Sequence, residues 1–291
     1  RYLRHERPDA MLSALNYANV IAILAWKLAR VQTRLVVSER SSLSRSPAKW
    51  SGRVTRALMR WLYPKADKVV CVSKGIEKDM QHLLRVPKGK TVTIYNPVDV
   101  DTIRRQMTVP VDHPWFKTGK GPVILAAGRL TEAKDYPTLL KAFAQLRDAL
   151  EARLIILGQV EEEARLKAMA EDLAIAKDVD FVGFQDNPFA WMARCDLFVM
   201  SSAWEGFPNV LVQAIACGAQ VVSTDCRTGP DEILENGRWG GLVPVGDANS
   251  LGKTLLARLE EPNMNLSKYS LCRFCQQEIA LQYLRALLQQ A

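Results

Sequence analysis

The sequence lacks three features that mark large classes of protein. No apolar run reaches the roughly 18 residues of a membrane-spanning helix, because the longest, residues 20–29, is interrupted by Lys27. Neither a Gly-x-Gly-x-x-Gly nor a Walker A loop is present, which argues against dinucleotide-binding proteins and P-loop ATPases. Of six scattered cysteines, only Cys272 and Cys275 have metal-like spacing, and neither a second pair nor a histidine cluster completes a zinc site. This cysteine usage is typical of a reducing compartment.

Charge is abundant but unevenly divided. Residues 1–118 contain 22 Lys and Arg against 9 Asp and Glu, a balance of +13, whereas residues 119–291 contain 17 against 22, a balance of −5. The basic part therefore favours an anionic partner, which is an acidic lipid, a phosphate-bearing acceptor or nucleic acid. The chain begins with Arg1 and enters dense sequence at once, so we expect a fragment that lacks its natural start.

Strand and helix patterns alternate along the chain, which predicts an α/β protein with doubly wound parallel sheets. We expect two domains, residues 1–110 and residues 111–291, with a turn-rich linker in residues 96–120. The final helix, predicted over residues 267–290, is amphipathic and is a candidate to pack back on the first domain.

A strand, a loop and a helix start follow one another around Glu205. The apolar run of residues 196–200 predicts a buried strand. Pro208 suits the first position of a helix, because its missing N–H would be unpaired there. Glu205 either accepts hydrogen bonds from the hydroxyls of a ligand or is an ordinary surface residue. The N–H groups expected to face an anion at this helix start are those of Asn209, Val210 and Leu211.

Two cations follow the first strand of the second domain. Arg129 and Lys134 lie on a loop that topology can bring to the same sheet edge as Glu205. Two cations beside a helix start make a diphosphate site, so no metal is predicted. Asp99 and Asp101 match a D-x-D metal triplet by spacing alone, and they follow Asn-Pro in the linker.

A cationic stripe and an apolar stripe run side by side in the first domain. The apolar residues Trp50, Val54, Leu58 and Trp61 recur at helical spacing, which predicts an interfacial membrane helix. The alternatives are a helix that packs on its own domain and leaves its charges in solvent, or nucleic-acid binding, for which no recognition motif is present. The cations are Arg45, Lys49, Arg53, Arg56 and Arg60.

Four groups of residues together resemble a known family. They are Asn96-Pro97-Val98-Asp99; Gly128-Arg129-Leu130-Thr131 with Lys134-Asp135-Tyr136; Glu205-Gly206-Phe207-Pro208-Asn209 with Gln213 and Cys217-Gly218; and Gly229-Pro230-Asp231-Glu232-Ile233. In order and spacing they resemble the linker, the diphosphate loop and the E-x7-E region of family 4 retaining glycosyltransferases. The resemblance implies the GT-B fold, in which two Rossmann-like doubly wound domains face a cleft, with the first domain incomplete here.

The resemblance also implies an activity and roles for residues. A hexosyl group would pass from a nucleotide-sugar co-substrate, expected to be a UDP-sugar, to a glycan or a polyprenyl-diphosphate-linked acceptor, with retention and without metal or cofactor. Glu205, Arg129, Lys134 and, on the acceptor side, Glu39 would be the catalytic residues. The donor-binding residues would be Gly128, Val182, Gly183, Phe184, Gly206, Phe207, Pro208, Asn209, Val210, Leu211 and Gln213.

One position departs from the family pattern. Gln213 stands where the second Glu of E-x7-E is expected, which lowers charge-assisted hydrogen bonding to the ribose. Two other functions therefore stay open, a weakly active or inactive nucleotide-sugar-binding protein and a nucleotide-sugar epimerase. For the transferase we expect a cytoplasmic protein, peripheral on the inner face of the cytoplasmic membrane, that contributes to cell-envelope polysaccharide or glycoconjugate synthesis and does not bind nucleic acid.

Overall fold

The computed structural model describes residues 1–43, 50–119, 121–159, 162–261, 266, 269 and 271–288. The chain divides into two compact units. One consists of Arg1–Pro97 with Cys272–Ala291, and the other of Val98–Leu271. Within the described residues, every helix is too short or too polar to span a bilayer.

The first unit is built on a parallel sheet of four strands in chain order. Its central strands form because apolar runs such as Leu35, Val36 and Val37 are fully buried there, as parallel strands covered on both faces require. The strands are β1 (Ala10–Ala14), β2 (Arg34–Glu39), β3 (Lys68–Cys71) and β4 (Thr91–Thr93). The helices before and between them are α1 (Tyr2–Glu6), α2 (Asn16–Ala29), α3 (Trp50–Leu62) and α4 (Lys74–Leu83).

The last helix of the chain, α13 (Gln276–Leu288), belongs to this first unit. Its Ile279 and Ala286 join a buried apolar cluster with Val36 and other residues of the sheet. The Arg34 side chain also donates a hydrogen bond to the Ala286 carbonyl at 2.9 Å. The described helix is shorter than the one expected over residues 267–290, because a short 3-10 turn at Cys272–Phe274 precedes it.

The second unit contains six parallel strands in the order β10-β9-β8-β5-β6-β7. Buried side chains of its strands and of helices α7 and α12 form one continuous core. The strands are β5 (Val123–Ala127), β6 (Arg153–Leu157), β7 (Val179–Gly183), β8 (Leu197–Met200), β9 (Val221–Thr224) and β10 (Gly241–Val243). The helices are α5 (Val100–Gln106), α6 (Trp115–Thr118), α7 (Tyr136–Ala149), α8 (Glu163–Asp172), α9 (Pro188–Met192), α10 (Asn209–Ala216), α11 (Pro230–Ile233) and α12 (Ala248–Glu260).

The division between the units falls earlier than the expected boundary after residue 110. The stretch expected to be a turn-rich linker contains helices α5 and α6. Helix α5 is held by the second unit, because Asn187 donates to the Gln106 carbonyl at 2.9 Å and Arg194 donates to the Met107 carbonyl at 3.1 Å. These contacts explain why the second unit begins at Val98.

Candidate active site

The strand order of the second unit fixes where a ligand site can form. Successive strands run outward from β5 through β6 to β7, and in the other direction from β8 through β9 to β10. The order therefore reverses between β5 and β8, which pair directly. Open parallel sheets bind ligands at the carboxyl ends of the strands at such a reversal. The loops that follow β5 and β8 contain Arg129, Lys134 and Glu205.

The loop after β5 is shaped by close backbone approach. The N–H of Gly128 donates to the Leu157 carbonyl at 2.9 Å, and the hydroxyl of Tyr136 donates to the Gly128 carbonyl at 3.1 Å. A Cβ atom at Gly158 would lie 1.9 Å from the Gly128 oxygen, so only glycine fits at position 158. The loop is thereby held against the end of β6, and Arg129 is left exposed on it.

The loops after β5 and β8 are joined by an ion pair. The ammonium group of Lys134 lies 2.5 Å from Oε1 of Glu205, and the two side chains are only 21% and 15% exposed. Ser202 donates to the same carboxylate oxygen at 2.7 Å. Ser201 donates to the Lys134 carbonyl at 2.8 Å. The structure thus brings together Lys134 and Glu205, as their positions on the sheet edge predicted.

A third loop, which follows β9, supports the Glu205 loop. The hydroxyl of Thr228 donates to the carbonyl of Glu205, and Thr224 donates to the carbonyl of Ser202 at 2.6 Å. Gly229 has φ +105°, and a Cβ atom there would lie 2.5 Å from Cδ of Pro208. The Gly-Pro turn therefore packs directly on the residue that precedes helix α10.

Helix α10 begins one residue later than predicted. Pro208 precedes the helix as its N-cap, and the helix starts at Asn209. Two of the three expected N–H donors are used within the turn, since Asn209 donates to the Phe207 carbonyl and Leu211 to the Pro208 carbonyl, each at 3.0 Å. Pro208 favours this turn because its ring fixes φ. In the described structure, Val210 is the member of the trio that donates to no backbone carbonyl.

The remaining donor-side residues lie around this edge of the sheet. Gln213 is half-buried on α10, about one turn after the helix begins at Asn209. Gly206 is half-buried, whereas Phe207 and Pro208 are buried. The other predicted residues lie at the end of edge strand β7, where the Phe184 side chain is 64% exposed. Those residues are Val182, Gly183 and Phe184.

Glu39 has surroundings that the sequence did not predict. It ends strand β2 with no exposed surface, and Tyr63 donates to its Oε2 at 2.8 Å. The N–H groups of Arg40 and Ser41 donate to its Oε1 at 3.1 Å. Burial raises the pKa of the Glu39 carboxyl, although these hydrogen bonds oppose that shift. Its contacts indicate that Glu39 positions the turn after β2, and a catalytic role for it stays a prediction.

Other candidate groups have structural roles. Asp99 caps helix α5, because its carboxylate accepts hydrogen bonds from the N–H and hydroxyl of Thr102 at 3.0 and 2.7 Å. The described residues include no cluster of three metal-ligating side chains. Burial raises the pKa of the Cys217 and Cys226 thiols to about 12, so neither is a nucleophile at neutral pH.

The predicted cationic helix is α3, and only part of its stripe is described. Arg53 and Arg60 are exposed, whereas Arg56 is half-buried and donates to the Leu43 carbonyl at 2.5 Å. Arg45 and Lys49 lie outside the described residues.

Three hydroxyl residues at the site were missed by the sequence reasoning. Ser202 contacts the Glu205 carboxylate, Thr228 its carbonyl, and Tyr136 the Gly128 carbonyl. Tyr136 belongs to the motif that resembles the diphosphate loop, but the sequence predicted no role for it. No spacing rule connects Ser202 or Thr228 with Glu205, since strand order and loop shape alone bring them together.

Family models match almost the whole chain. The model "Glycosyl transferases group 1" matches residues 112–270, and "Glycosyltransferase Family 4" matches residues 1–102. Among curated relatives, a Campylobacter jejuni enzyme is 32% identical over 88% of this chain and 68% of its own. It is named N-acetylgalactosamine-N,N'-diacetylbacillosaminyl-diphospho-undecaprenol 4-alpha-N-acetylgalactosaminyltransferase. The lipopolysaccharide core biosynthesis glycosyltransferase LpsE of Rhizobium meliloti is 33% identical over 66% of this chain and 54% of its own. The chain thus spans about half to two thirds of these relatives' lengths.

Solved structures show the same fold. Anabaena HepE in complex with UDP-glucose matches with a TM-score of 0.83 and 23% identity, over 97% of this chain and 79% of that one. The apo form of the lipopolysaccharide outer core galactosyltransferase WaaB matches with a TM-score of 0.79 and 21% identity, over 99% and 77%. With two parallel α/β sheets and these neighbours, the predicted fold class of two Rossmann-like domains is confirmed.

Proposed function

The chain belongs to the group 1 glycosyltransferases, and from that premise we propose that it transfers a hexosyl group from a UDP-sugar to an acceptor with retention of configuration. The observation that carries the proposal is the Lys134–Glu205 pair, 2.5 Å apart at the strand-order reversal. A cation and a carboxylate at that edge match the two demands of a nucleotide-sugar, which presents an anionic diphosphate beside a hydroxyl-rich ring.

The proposed roles follow from charge and position. Lys134 and exposed Arg129 neutralise the diphosphate as it leaves, which is stabilisation by preorganised charge. Glu205 accepts hydrogen bonds from donor-sugar hydroxyls, and Ser202 keeps its carboxylate oriented. When the donor binds, its phosphate oxygens compete with Glu205 for the ammonium group of Lys134. The carboxylate is then released for the sugar at the moment that the cation is engaged.

Two elements would contact the nucleoside, helix α10 and the loop after β7. Val210 offers a backbone N–H to the phosphates, and Gln213 on the same helix binds the ribose hydroxyls through its amide. The loop with Val182, Gly183 and Phe184 borders the base, and the exposed Phe184 ring offers it an apolar contact. Two cations and a backbone donor supply the positive charge that a metal would otherwise bring, so the proposed reaction is metal-independent.

The proposed acceptor is a glycan or a lipid-linked saccharide of the cell envelope. The names of the relatives support this, since one name contains a diphospho-undecaprenol-linked substrate and another contains lipopolysaccharide core biosynthesis. We place the protein in the cytoplasm, in peripheral contact with an anionic membrane through helix α3. Exposed Arg53 and Arg60 support that contact.

The test compares sugar transfer by wild-type protein with transfer by a variant that lacks the Lys134 ammonium group. The protein is incubated with UDP-sugars and a lipid-linked acceptor pool, and release of UDP is measured. Removing one preorganised electrostatic donor costs about 100-fold or more in turnover, so we expect that loss for Lys134→Met. Lys141→Met, an exposed lysine on α7, is the matched control and should leave turnover unchanged. Equal UDP release by the Lys134→Met variant would rule out the diphosphate role.

A second candidate function is a nucleotide-sugar-binding protein of low turnover. Gln213 favours it, because an amide binds a diol less strongly than a carboxylate by about 1 kcal/mol. Gln213→Glu should therefore tighten UDP-sugar binding about 5-fold in titration calorimetry, whereas Gln145→Glu on α7 should not. Weaker binding by Gln213→Glu would mean that the site is adapted to glutamine. UDP-sugar binding without transfer to any acceptor would select this second function.

A further inference from the structure

The outward face of helix α2 is apolar and lacks a partner among the described residues. Asn19, Val20 and Ile23 face inward and are buried. The opposite face repeats at intervals of three and four residues, as one side of a helix does. Its members are Tyr17, Ile21, Leu24 and Leu28, with exposed fractions of 62%, 66%, 37% and 74%.

Helix α3 continues this apolar face. The two helices pack on each other within the first unit. The Trp61 ring of α3 lies 5.8 Å from the ammonium group of Lys27 on α2 and 3.6 Å from that of Lys65. The exposed apolar residues of α3 are Val54, Leu58 and Trp61, with exposed fractions of 40%, 39% and 58%.

The charges on these two helices have a single sign. Neither α2 nor α3 contains an acidic residue, whereas Lys27 and Lys65 flank Trp61, and Arg53 and Arg60 are exposed on α3. Apolar residues bordered by cations complement the surface of an anionic bilayer, which offers acyl chains beneath phosphates. Helix α2 has 14 residues, fewer than the roughly 20 that a span needs, so it would lie in the plane of the interface.

We propose that α2 inserts its apolar face into the headgroup boundary of an anionic membrane, with Ile21, Leu24 and Leu28 among the acyl chains. The lysines and arginines around Trp61 then contact lipid phosphates. This inference shares its partner with the membrane contact proposed for α3, but it assigns most of the attachment to α2, whose one charged residue is Lys27. The docking face consists of Tyr17, Ile21, Leu24, Leu28, Val54, Leu58 and Trp61.

The test is flotation of the 291-residue chain with vesicles of phosphatidylcholine containing about one third phosphatidylglycerol. We expect wild-type protein to float with these vesicles. Ile21→Ser with Leu28→Ser should lower the bound fraction about 10-fold or more, because each apolar side chain contributes to insertion. The matched control is Leu281→Ser with Leu284→Ser, two comparably exposed leucines on α13, and it should float as wild type does.

Salt dependence distinguishes the electrostatic part of the membrane contact from the apolar part. Arg53→Glu with Arg60→Glu should weaken binding at low salt and remove most of its salt dependence. The apolar double variant should keep that salt dependence. If Ile21→Ser with Leu28→Ser floats as well as wild type does, α2 does not insert. If light scattering shows a wild-type dimer that this variant converts to monomer, a second copy covers the docking face and the proposal is overturned.

The outcome is independent of the proposed transferase activity. Ile21 and Leu28 lie in the first unit and have no role in donor chemistry. Transfer to a water-soluble acceptor should therefore be unchanged in the apolar double variant. Vesicle binding without any transfer would contradict the activity but leave the docking face intact. Transfer by wild-type protein that does not bind vesicles would contradict the docking face but leave the transferase activity intact.

Discussion

At the scale of single residues, Lys134 and Glu205 stabilise each other's charge at the sheet edge. Each side chain is mostly buried, and each would be costly alone, because an uncompensated charge in such a position is destabilising. Paired, they satisfy one another, and Ser202 fixes the carboxylate. In the proposed mechanism an incoming diphosphate and sugar divide this pair, so the groups that stabilise one another would also bind the donor.

Glu39 presents the opposite case, a carboxyl whose burial opposes its charge. Its pKa is raised from 4.5, with burial as the largest cause. The folded protein therefore binds this proton more tightly than the unfolded chain does. The carboxyl contributes most to stability below its unfolded pKa, and that contribution is lost as pH rises through the raised folded pKa.

This sign predicts the behaviour of Glu39→Gln. The free energy of unfolding of wild type, minus that of the variant, should fall as pH rises from about 4 to about 7 in urea denaturation. Asp247→Asn, followed below about pH 4, is the opposite-sign control, because hydrogen bonds from Ser250 lower the pKa of Asp247, so its contribution is lost as pH falls. A wild-type advantage over Glu39→Gln that grew with pH would show that the ionised carboxylate is favoured.

At the scale of elements, the start of α10 depends on the Gly-Pro turn beneath it. Gly229 and Gly218 both have positive φ, at +105° and +85°, so alanine is strained at either. They differ in surroundings. A Cβ atom at Gly229 meets Pro208, whereas one at Gly218 has open space within 4 Å.

This contrast yields a paired prediction. Gly218→Ala should cost about 1 kcal/mol of stability from backbone strain alone. Gly229→Ala should cost about 2–3 kcal/mol, because the added methyl displaces Pro208. It should also weaken UDP-sugar binding, since the helix start and the Glu205 loop move together. Calorimetric unfolding and donor titration measure the two effects. Equal losses in both variants would mean that the contact with Pro208 does not position α10.

Sequence reasoning located the buried strand around residues 196–200, because buried parallel strands are short apolar runs. It also placed Lys134 and Glu205 on one edge, since parallel strand ends meet there. It missed the burial of Glu39, because a strand-terminal Glu has the same pattern whether the following turn folds over it or away. Helix α5 was missed because its seven residues carry too little periodicity, and the contacts that hold it come from residues over 80 positions away.

At the scale of the whole molecule, the chain leaves the first unit after Pro97 and returns to it at Cys272. The return places α13 against the sheet, where Ile279 and Ala286 complete a cluster with Val36, Val70 and Ile94. The Tyr283 hydroxyl also lies 3.3 Å from that of Ser38 on β2. Strands β2 and β3 and helix α13 therefore share one core.

Removing residues 272–291 should consequently unfold the first unit in preference to the second. The deletion leaves Val36, Val70 and Ile94 without the side chains that cover them, and each uncovered aliphatic side chain costs about 1.5–3 kcal/mol. Losses of that size are comparable to the whole stability of a domain. Limited proteolysis with mass mapping should show new cleavage within residues 10–97, while residues 123–260 stay protected. Leu281→Ser with Leu284→Ser, on the exposed side of α13, is the control and should leave the cleavage pattern unchanged. If residues 10–97 kept their protection in the deletion variant, the sheet would be stable without α13, and its docking would serve a purpose other than folding.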